Sequence, residues 1–361
     1  MKIEYLSVAN FRNLGAQKIF FSSGLNVLYG RNAQGKTNTL EAIYCATIGR
    51  SPRTRKDVEM VAFSKNQLHI DLQYTHHQTT RNIEVDLKGG SKNISIDGNK
   101  LTRMSDIIGN FGSVYFSPEE LHLIQGSPIY RRRFIDIINC QLSKQYLNDL
   151  QHFQRLLNQR NALLKNSAQN LGQQIKIWNE QLATFGVKLF MTRNAFCEKV
   201  QQYASDIHKE LTENNEELSL IYQSVSSTPL SVEELKKLYL KGLETSLERD
   251  KVLGYTTYGI QNDDFIIKVN GIDLRKSGSQ GQQRTATLSL KLAELEILKE
   301  EYGEYPVLLL DDVLSELDII RRQKLVEKIK DIQCILTCTE FGLDLPCVKF
   351  EVSDGAVIKK D

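Results

Sequence analysis

An α/β fold interrupted by a mainly helical lobe is what this 361-residue chain predicts, on three observations. Gly30-Arg31-Asn32-Ala33-Gln34-Gly35-Lys36-Thr37 lies between an apolar alternating run and a helical one, the pattern of a phosphate-binding loop. Leu308-Leu309-Leu310-Asp311-Asp312 ends an apolar strand in two carboxylates, and Asp311 comes 274 residues after Thr37. Between the two, from Tyr130 to about Glu213, the chain has no proline and repeats leucine and aromatic residues at three, four or seven, as packed helices do.

The elements follow in order. Lys2–Val8, Gln17–Phe21 and Leu25–Tyr29 read as strands, the last running into the glycine-framed loop. A helix begins at Lys36 and carries Leu40, Ile43, Tyr44 and Thr47 on one face. Leu68–Tyr74, Arg81–Leu87 and Asn93–Ile96 alternate as strands, with a hairpin-type turn at Asp97-Gly98. Val114–Phe116 is a short apolar strand before Pro118. Leu142, Tyr146, Leu150, Phe153, Leu157 and Leu164 mark one long helix. Leu182, Phe185, Leu189 and Phe196 mark a second, with a break near Asn166–Gly172. A strand at Leu218–Gln223, a helix from Val232 to about Leu247 and strand character over Tyr255–Leu274 come next. An amphipathic helix from about Ser279 carries Leu288, Leu292, Leu295 and Leu298 on one stripe. The strand Val307–Leu310, a helix from about Asp318, the strand Cys334–Thr337 and short terminal strands close the chain.

The bulk numbers narrow the class. With 41% hydrophobic and 25% charged residues, this is an ordinary globular composition, long enough for one large or two linked domains. The net charge is only +2, so an acidic partner has to be met by local patches. No apolar run reaches the ~18–20 residues needed to span a bilayer, and the first residues are too polar for a signal peptide, so no membrane role is expected. Six scattered cysteines (Cys45, Cys140, Cys197, Cys334, Cys338 and Cys347) read as reduced thiols of a cytoplasmic protein. Cys334 and Cys338 have no matching pair for a zinc site.

Three constellations carry chemistry. In the loop Gly30, Arg31, Asn32, Ala33, Gln34, Gly35, Lys36 and Thr37, glycines let backbone N–H groups surround phosphate oxygens, and the following helix adds its positive end. Lys36 is expected at the β- and γ-phosphates of ATP, and Thr37 at Mg²⁺. A carboxylate pair closing an apolar strand is costly unless it meets a cation or a proton. Asp311 is therefore assigned to Mg²⁺, and Asp312 to orienting or deprotonating the attacking water; a helix N-cap is the plainer use of such an aspartate. Ser277-Gly278-Ser279-Gln280-Gly281-Gln282-Gln283-Arg284 opens the amphipathic helix with a second anion-friendly start, the sign of a nucleotide clamped from two sides or of an ordinary Ser-capped helix.

Gly30–Thr37, Ser279–Gln282, Leu308–Asp312 and Ser315-Glu316-Leu317-Asp318 match in order the Walker A, signature, Walker B and D-loop motifs of ABC-type ATPases. Asn10-Phe11-Arg12-Asn13, Arg53-Thr54, Phe116-Ser117-Pro118-Glu119, Gly126-Ser127-Pro128 with Arg131-Arg132-Arg133-Phe134, and Gln282-Gln283-Arg284 closely resemble the RecF family of bacterial recombination mediators, over nearly the whole chain. The resemblance implies an ABC-type head with mixed sheets plus an inserted helical lobe. Residues 1–125 and 253–361 would form the two halves of the ATPase lobe, and 126–252 the insertion. It also implies a head-to-tail homodimer in which Ser279, Gln280, Gly281 and Gln282 complete a neighbour's ATP site. Slow hydrolysis through Lys36 and Asp312, binding to single- and double-stranded DNA at their junctions, and work with RecR and RecO to help load RecA follow from it too.

Departures accompany the resemblance. The family's Gly-Pro-His-Arg-Asp-Asp run reads Gly259-Ile260-Gln261-Asn262-Asp263-Asp264, Arg31 replaces an acidic residue, and Thr337 or Thr339 occupies the region of the transporter switch histidine. Two basic clusters suit phosphate contacts to DNA: Arg50, Arg53, Arg55 and Lys56, and Arg131, Arg132 and Arg133. A solvated surface, or for the second cluster an internal brace, is the rival use. Rival functions are a transporter's nucleotide-binding subunit, an SMC- or Rad50-like tether, and a nucleotide-gated scaffold without turnover. The helical region, at roughly 120–135 residues, suits a lobe better than a rod.

Overall fold

The structure, a computed structural model, describes residues 1–165, 171–228, 230–339 and 346–360. Along the chain come β1 (Lys2–Ala9), β2 (Gln17–Phe20), β3 (Leu25–Tyr29), α1 (Lys36–Ile48), β4 (Gln67–His76), β5 (Thr79–Lys88), β6 (Ser91–Ile96), β7 (Asn99–Lys100) and β8 (Ser113–Phe116). Then follow α2 (His122–Gln125), α3 (Pro128–Leu142), α4 (Lys144–Lys165), α5 (Leu171–Leu211), β9 (Leu218–Gln223), α6 (Val232–Thr245), α7 (Leu247–Leu253), β10 (Asp264–Val269), β11 (Ile272–Asp273) and α8 (Leu274–Ser277). The chain closes with α9 (Gln280–Tyr302), β12 (Val307–Asp311), α10 (Ile319–Ile329), β13 (Cys334–Cys338), β14 (Val348–Ser353) and β15 (Ala356–Lys360).

Two compact units divide these elements: Met1–Glu120 with Leu288–Asp361, and Leu121–Thr287. The first holds two six-stranded sheets. One is antiparallel, in the order β2-β1-β4-β5-β6-β7. The hairpin at Asp97-Gly98 has both residues at positive φ (52° and 77°) and joins Ile96 to its partner Asn99, as a tight primed turn requires. The other sheet runs β15-β14-β3-β13-β12-β8, parallel except for β15. Its strands β8, β12 and β13 are buried at every residue, which explains their mostly apolar sequences.

Helix α1 packs against β4 and β5 of one sheet and β8, β12 and β13 of the other. Covered on both sides, it buries Thr39, Glu41 and Ala46 as well as the expected stripe of Leu40, Ile43, Tyr44 and Thr47. The single apolar face read from the sequence is thus too narrow.

The second unit holds α2–α8 and the antiparallel sheet β11-β10-β9. The expected first long helix is two helices, because the chain turns extended at Ser143 (φ −145°) between α3 and α4. The expected break at Asn166–Gly172 falls largely on residues 166–170, which lie outside the described residues. Only Asp264–Val269 and Ile272–Asp273 of the strand-like stretch Tyr255–Leu274 pair as strands. Because β10 pairs with β9 along its whole length, residues 253–287 group with the helical unit, whereas the sequence placed them with the ATPase lobe.

Buried charge is answered inside that unit. Arg160, fully buried, donates to Asn179, Asp250 and Thr256 at 2.7–2.8 Å. Arg193 reaches Asp136 and Asp263, and Asp263 also accepts from Tyr222 and Ser224. Burial raises the Asp263 carboxyl from the usual range, against the pull of Arg193. In the altered run Gly259–Asp264, the aspartates brace the unit. Gln261 and Asn262 satisfy the local carbonyls of Tyr258 and Thr257.

Candidate functional site

Strand order builds the site. The loop Gly30–Thr37 leaves the end of β3, and Asp311 and Asp312 leave the end of β12, with β13 between them in parallel register. All three strands therefore deliver their carboxyl ends to one edge, where open α/β sheets bind ligands. Asp311 pairs in register with Thr337, and Thr337 with Leu28.

The loop backbone is specialised. Gly30, Ala33 and Gly35 have φ of 146°, 65° and 119°. A Cβ on Gly30 would sit 2.4 Å from the Val352 carbonyl oxygen, so only glycine fits. Gln34 anchors the loop to the β14–β15 turn: its side chain accepts from Asp354 N (2.7 Å) and its carbonyl from Gly355 N (2.9 Å). Helix α1 starts from Gly35 with no side-chain cap, leaving first-turn N–H groups for a phosphate.

Lys36 donates to the carbonyls of Gly30 (2.6 Å) and Arg31 (2.8 Å), folded over the loop. Burial lowers its pKa, while the neighbouring Asp312 and Asp311 act to raise it. Thr37 Oγ1 and Thr337 Oγ1 both donate to Asp311 Oδ1 at 2.8 Å, and the Tyr115 hydroxyl donates to Oδ2 at 3.0 Å. Burial and Asp311 together push the Tyr115 phenol far up, so it stays a donor. Asp312 stands in the left-handed region (φ 52°); its N–H donates to Thr337 Oγ1 (2.9 Å). Its Oδ1 is buried with no hydrogen-bond partner. An orphaned carboxyl oxygen next to a hydroxyl–carboxylate pair is a donor set suited to a hard cation such as Mg²⁺, so Thr37 and Asp311 fit the metal role.

Lys36, Thr37, Asp311, Asp312 and Thr337 line one cavity of about 410 Å³, closed on another side by Asn13, Asn38 and Arg53. Arg53 is thereby placed at the nucleotide cavity. Its Nη1 donates to Asn38 (2.9 Å) and to Glu41 (3.1 Å). Fully buried Glu41 also takes a two-pronged bond from Arg12 (2.6 and 3.1 Å) and one from Ser51 (2.6 Å). Thr337, Tyr115 and Glu41 were not singled out as site residues from the sequence. The Phe-Arg-Asn run at 11–13 was the available hint of the Arg12–Glu41 clamp.

Other expected residues stand as follows. Arg50, Arg55 and Lys56 are exposed. Ser279, Gln280 and Gly281 are exposed in the second unit. There Ser279 Oγ accepts from Gln282 N (3.2 Å) and Gln282 Oε1 from Ser279 N (3.1 Å), a reciprocal cap. Arg131 needs correcting as a DNA contact: it is 3% exposed, and grips Asp264 through two bonds (2.5 and 3.0 Å) and the carbonyls of Leu123 and Gly126. Its donors are used inside the unit. Arg132 is half-buried and donates to the Asp263 carbonyl (2.7 Å); Arg133 is exposed. The cysteines are all free thiols, and no helix among the described residues is long and apolar enough to cross a membrane.

Comparison with known proteins gives the same reading. The family described as RecF/RecN/SMC N terminal domain matches residues 2–341. The chain is 41% identical to the DNA replication and repair protein RecF of Clostridium tetani, over 94% of this chain and 93% of that one. It is 40% identical to that of Clostridium kluyveri, over 100% and 98%. Among solved structures it is similar to the recombination mediator protein RecF with ATP in the RecFOR pathway, with 37% identity, TM-score 0.94, and 99% and 97% coverage. An Smc head bound to the C-winged helix domain of ScpA shares the fold at 16% identity (TM-score 0.59; 100% and 97% coverage). With a phosphate loop and an aspartate pair at one sheet edge, and relatives of this likeness along its whole length, the chain belongs to the RecF family.

Proposed function

We propose that the chain is an ATP-dependent DNA-binding protein of recombinational repair and replication restart, a homodimer when ATP is bound, whose slow hydrolysis resets it. One observation carries this reading: Lys36, Thr37, Asp311 and Asp312 converge on one cavity, with the Asp312 Oδ1 buried and unpartnered. Lys36 neutralises phosphate charge, and the bare start of α1 adds N–H donors. Thr37 and Asp311 would hold Mg²⁺, which would supply charge neutralisation at the phosphates. Thr337 and Tyr115 fix the Asp311 carboxylate through both of its oxygens. Asp312 orients or deprotonates water. Being one methylene shorter than glutamate, it suits slow turnover as a switch, stimulated by DNA.

Completion of the site by Ser279–Gln282 of a second copy agrees with the exposure of that helix start. Arg50, Arg53, Arg55 and Lys56 are exposed cations suited to DNA phosphates. The likeness to RecF structures of the RecFOR pathway supports RecR and RecO as partners, with RecA loading at single-strand/duplex junctions in a cytoplasmic setting.

Sedimentation with ATP tests the reading. Asp312→Asn is expected to give a stable dimer, while Lys36→Ala and Ser279→Arg stay monomeric. Lys36→Ala is expected to weaken ATP about 10–100-fold, the worth of charge-assisted hydrogen bonds. Wild-type ATPase rises with gapped DNA. A monomer under every condition, or no DNA effect on turnover, would sink it.

A further inference from the structure

A second cluster of ligand-type side chains lies outside the nucleotide cavity. His76 ends β4, His77 begins the turn to β5, and Glu304 follows α9. One ligand atom from each residue falls within 4.8 Å of the other two. Glu304 Oε1 is 3.4 Å from His76 Nε2 and 3.8 Å from His77 Nδ1. Ligands at ~2.0–2.1 Å around a tetrahedral ion stand about 3.3–3.5 Å apart, the spacing that Glu304 Oε1 and His76 Nε2 already have.

Two details prepare these atoms for a metal. His76 Nε2 is buried without a hydrogen-bond partner. The turn is set by backbone: His77 and Gln78 both have positive φ (46° and 62°), and His77 N donates to Glu304 Oε1 (2.8 Å). The amino group of Met1 occupies the other oxygen, Oε2 (2.7 Å), leaving Oε1 turned to the imidazoles.

We infer that His76, His77 and Glu304 form a binding site for a transition-metal ion of the Zn²⁺ class, with a fourth position open to water. Two imidazoles and one carboxylate favour Zn²⁺, Co²⁺ or Ni²⁺ over Mg²⁺, so this site is chemically distinct from the one at Thr37 and Asp311. The ion ties the β4–β5 turn to the segment Gly303–Glu304 between α9 and β12. It therefore acts as a structural clip within the first unit.

The test uses the full chain stripped with a chelator, without nucleotide. Co²⁺ is titrated and followed by its visible absorption, then displaced by Zn²⁺. One equivalent is expected in wild type, in Cys347→Ser and in Asp311→Asn, with the unfolding midpoint raised several degrees by Zn²⁺. His77→Ala, whose exposed turn position tolerates truncation, and His76→Gln are expected to lose at least tenfold in affinity and the thermal shift. Absence of binding at micromolar metal, loss of binding in Cys347→Ser or Asp311→Asn, or undiminished binding in both histidine variants overturns the site.

Discussion

Two helix starts in this protein use the same physics differently. Helix α1 leaves Gly35 in the left-handed region, with no side chain on its first N–H groups, and Gly35, Lys36 and Thr37 line the cavity. Helix α9 is exposed at its start and satisfied by its own Ser279–Gln282 cap. The first is preorganised: an anion meets donors already aimed and unpaired. The second is stable without a ligand, so engaging one means exchanging the cap's hydrogen bonds. In the proposed dimer, a site built from one helix of each kind would hold nucleotide in a single chain and leave the second contact conditional on assembly.

Breaking the preorganised start has the largest effect. Gly30→Ala puts a methyl 2.4 Å from the Val352 carbonyl at φ 146°. It is expected to lose ATP binding and about 2–4 kcal/mol of stability, read by isothermal titration and denaturant melts. ATP affinity within threefold of wild type would mean that the loop is not preorganised.

Thr337→Val comes next. It removes the hydroxyl that donates to Asp311 and accepts from the Asp312 N–H. Turnover is expected to fall about tenfold, the order of one to two buried hydrogen bonds, with KM for ATP little changed. A change confined to KM would place Thr337 in binding instead.

Ser279→Ala is the mildest and sharpens the contrast. Losing the cap costs about 1 kcal/mol in a urea melt. ATP binding by the monomer is expected to stay unchanged while ATP-dependent association weakens. Weaker binding by the monomer would show that the two starts are not separable in function.

Much of this was legible because local chemistry decided it. Asp97-Gly98 announced its hairpin, and the apolar runs Val307–Leu310 and Cys334–Thr337 announced strands. The loop and the aspartate pair could be matched because each has its own spacing. What stayed hidden depended on distant partners. Arg131 reads as part of a basic cluster until Asp264, 133 residues on, is seen to hold it. Arg53, exposed in its basic cluster, also reaches buried Glu41 beside the cavity, a contact no local pattern announces. Helix α1 looked one-sided because periodicity does not reveal a second sheet. The placement of residues 253–287 turned on β10 choosing β9 as neighbour, a choice no local pattern dictates.

The left-handed backbone at Asp312 has one further consequence. This residue pairs an uncommon φ of 52° with a buried, unpartnered carboxylate oxygen, two costs at one position. Glycine would relieve both. Asp312→Gly is therefore expected to raise the melting temperature, by about 1 kcal/mol of added stability, while abolishing hydrolysis. A library sorted for heat resistance alone would drift toward that substitution and lose the enzyme. The tension at position 312 is where selection for durability and selection for turnover pull apart.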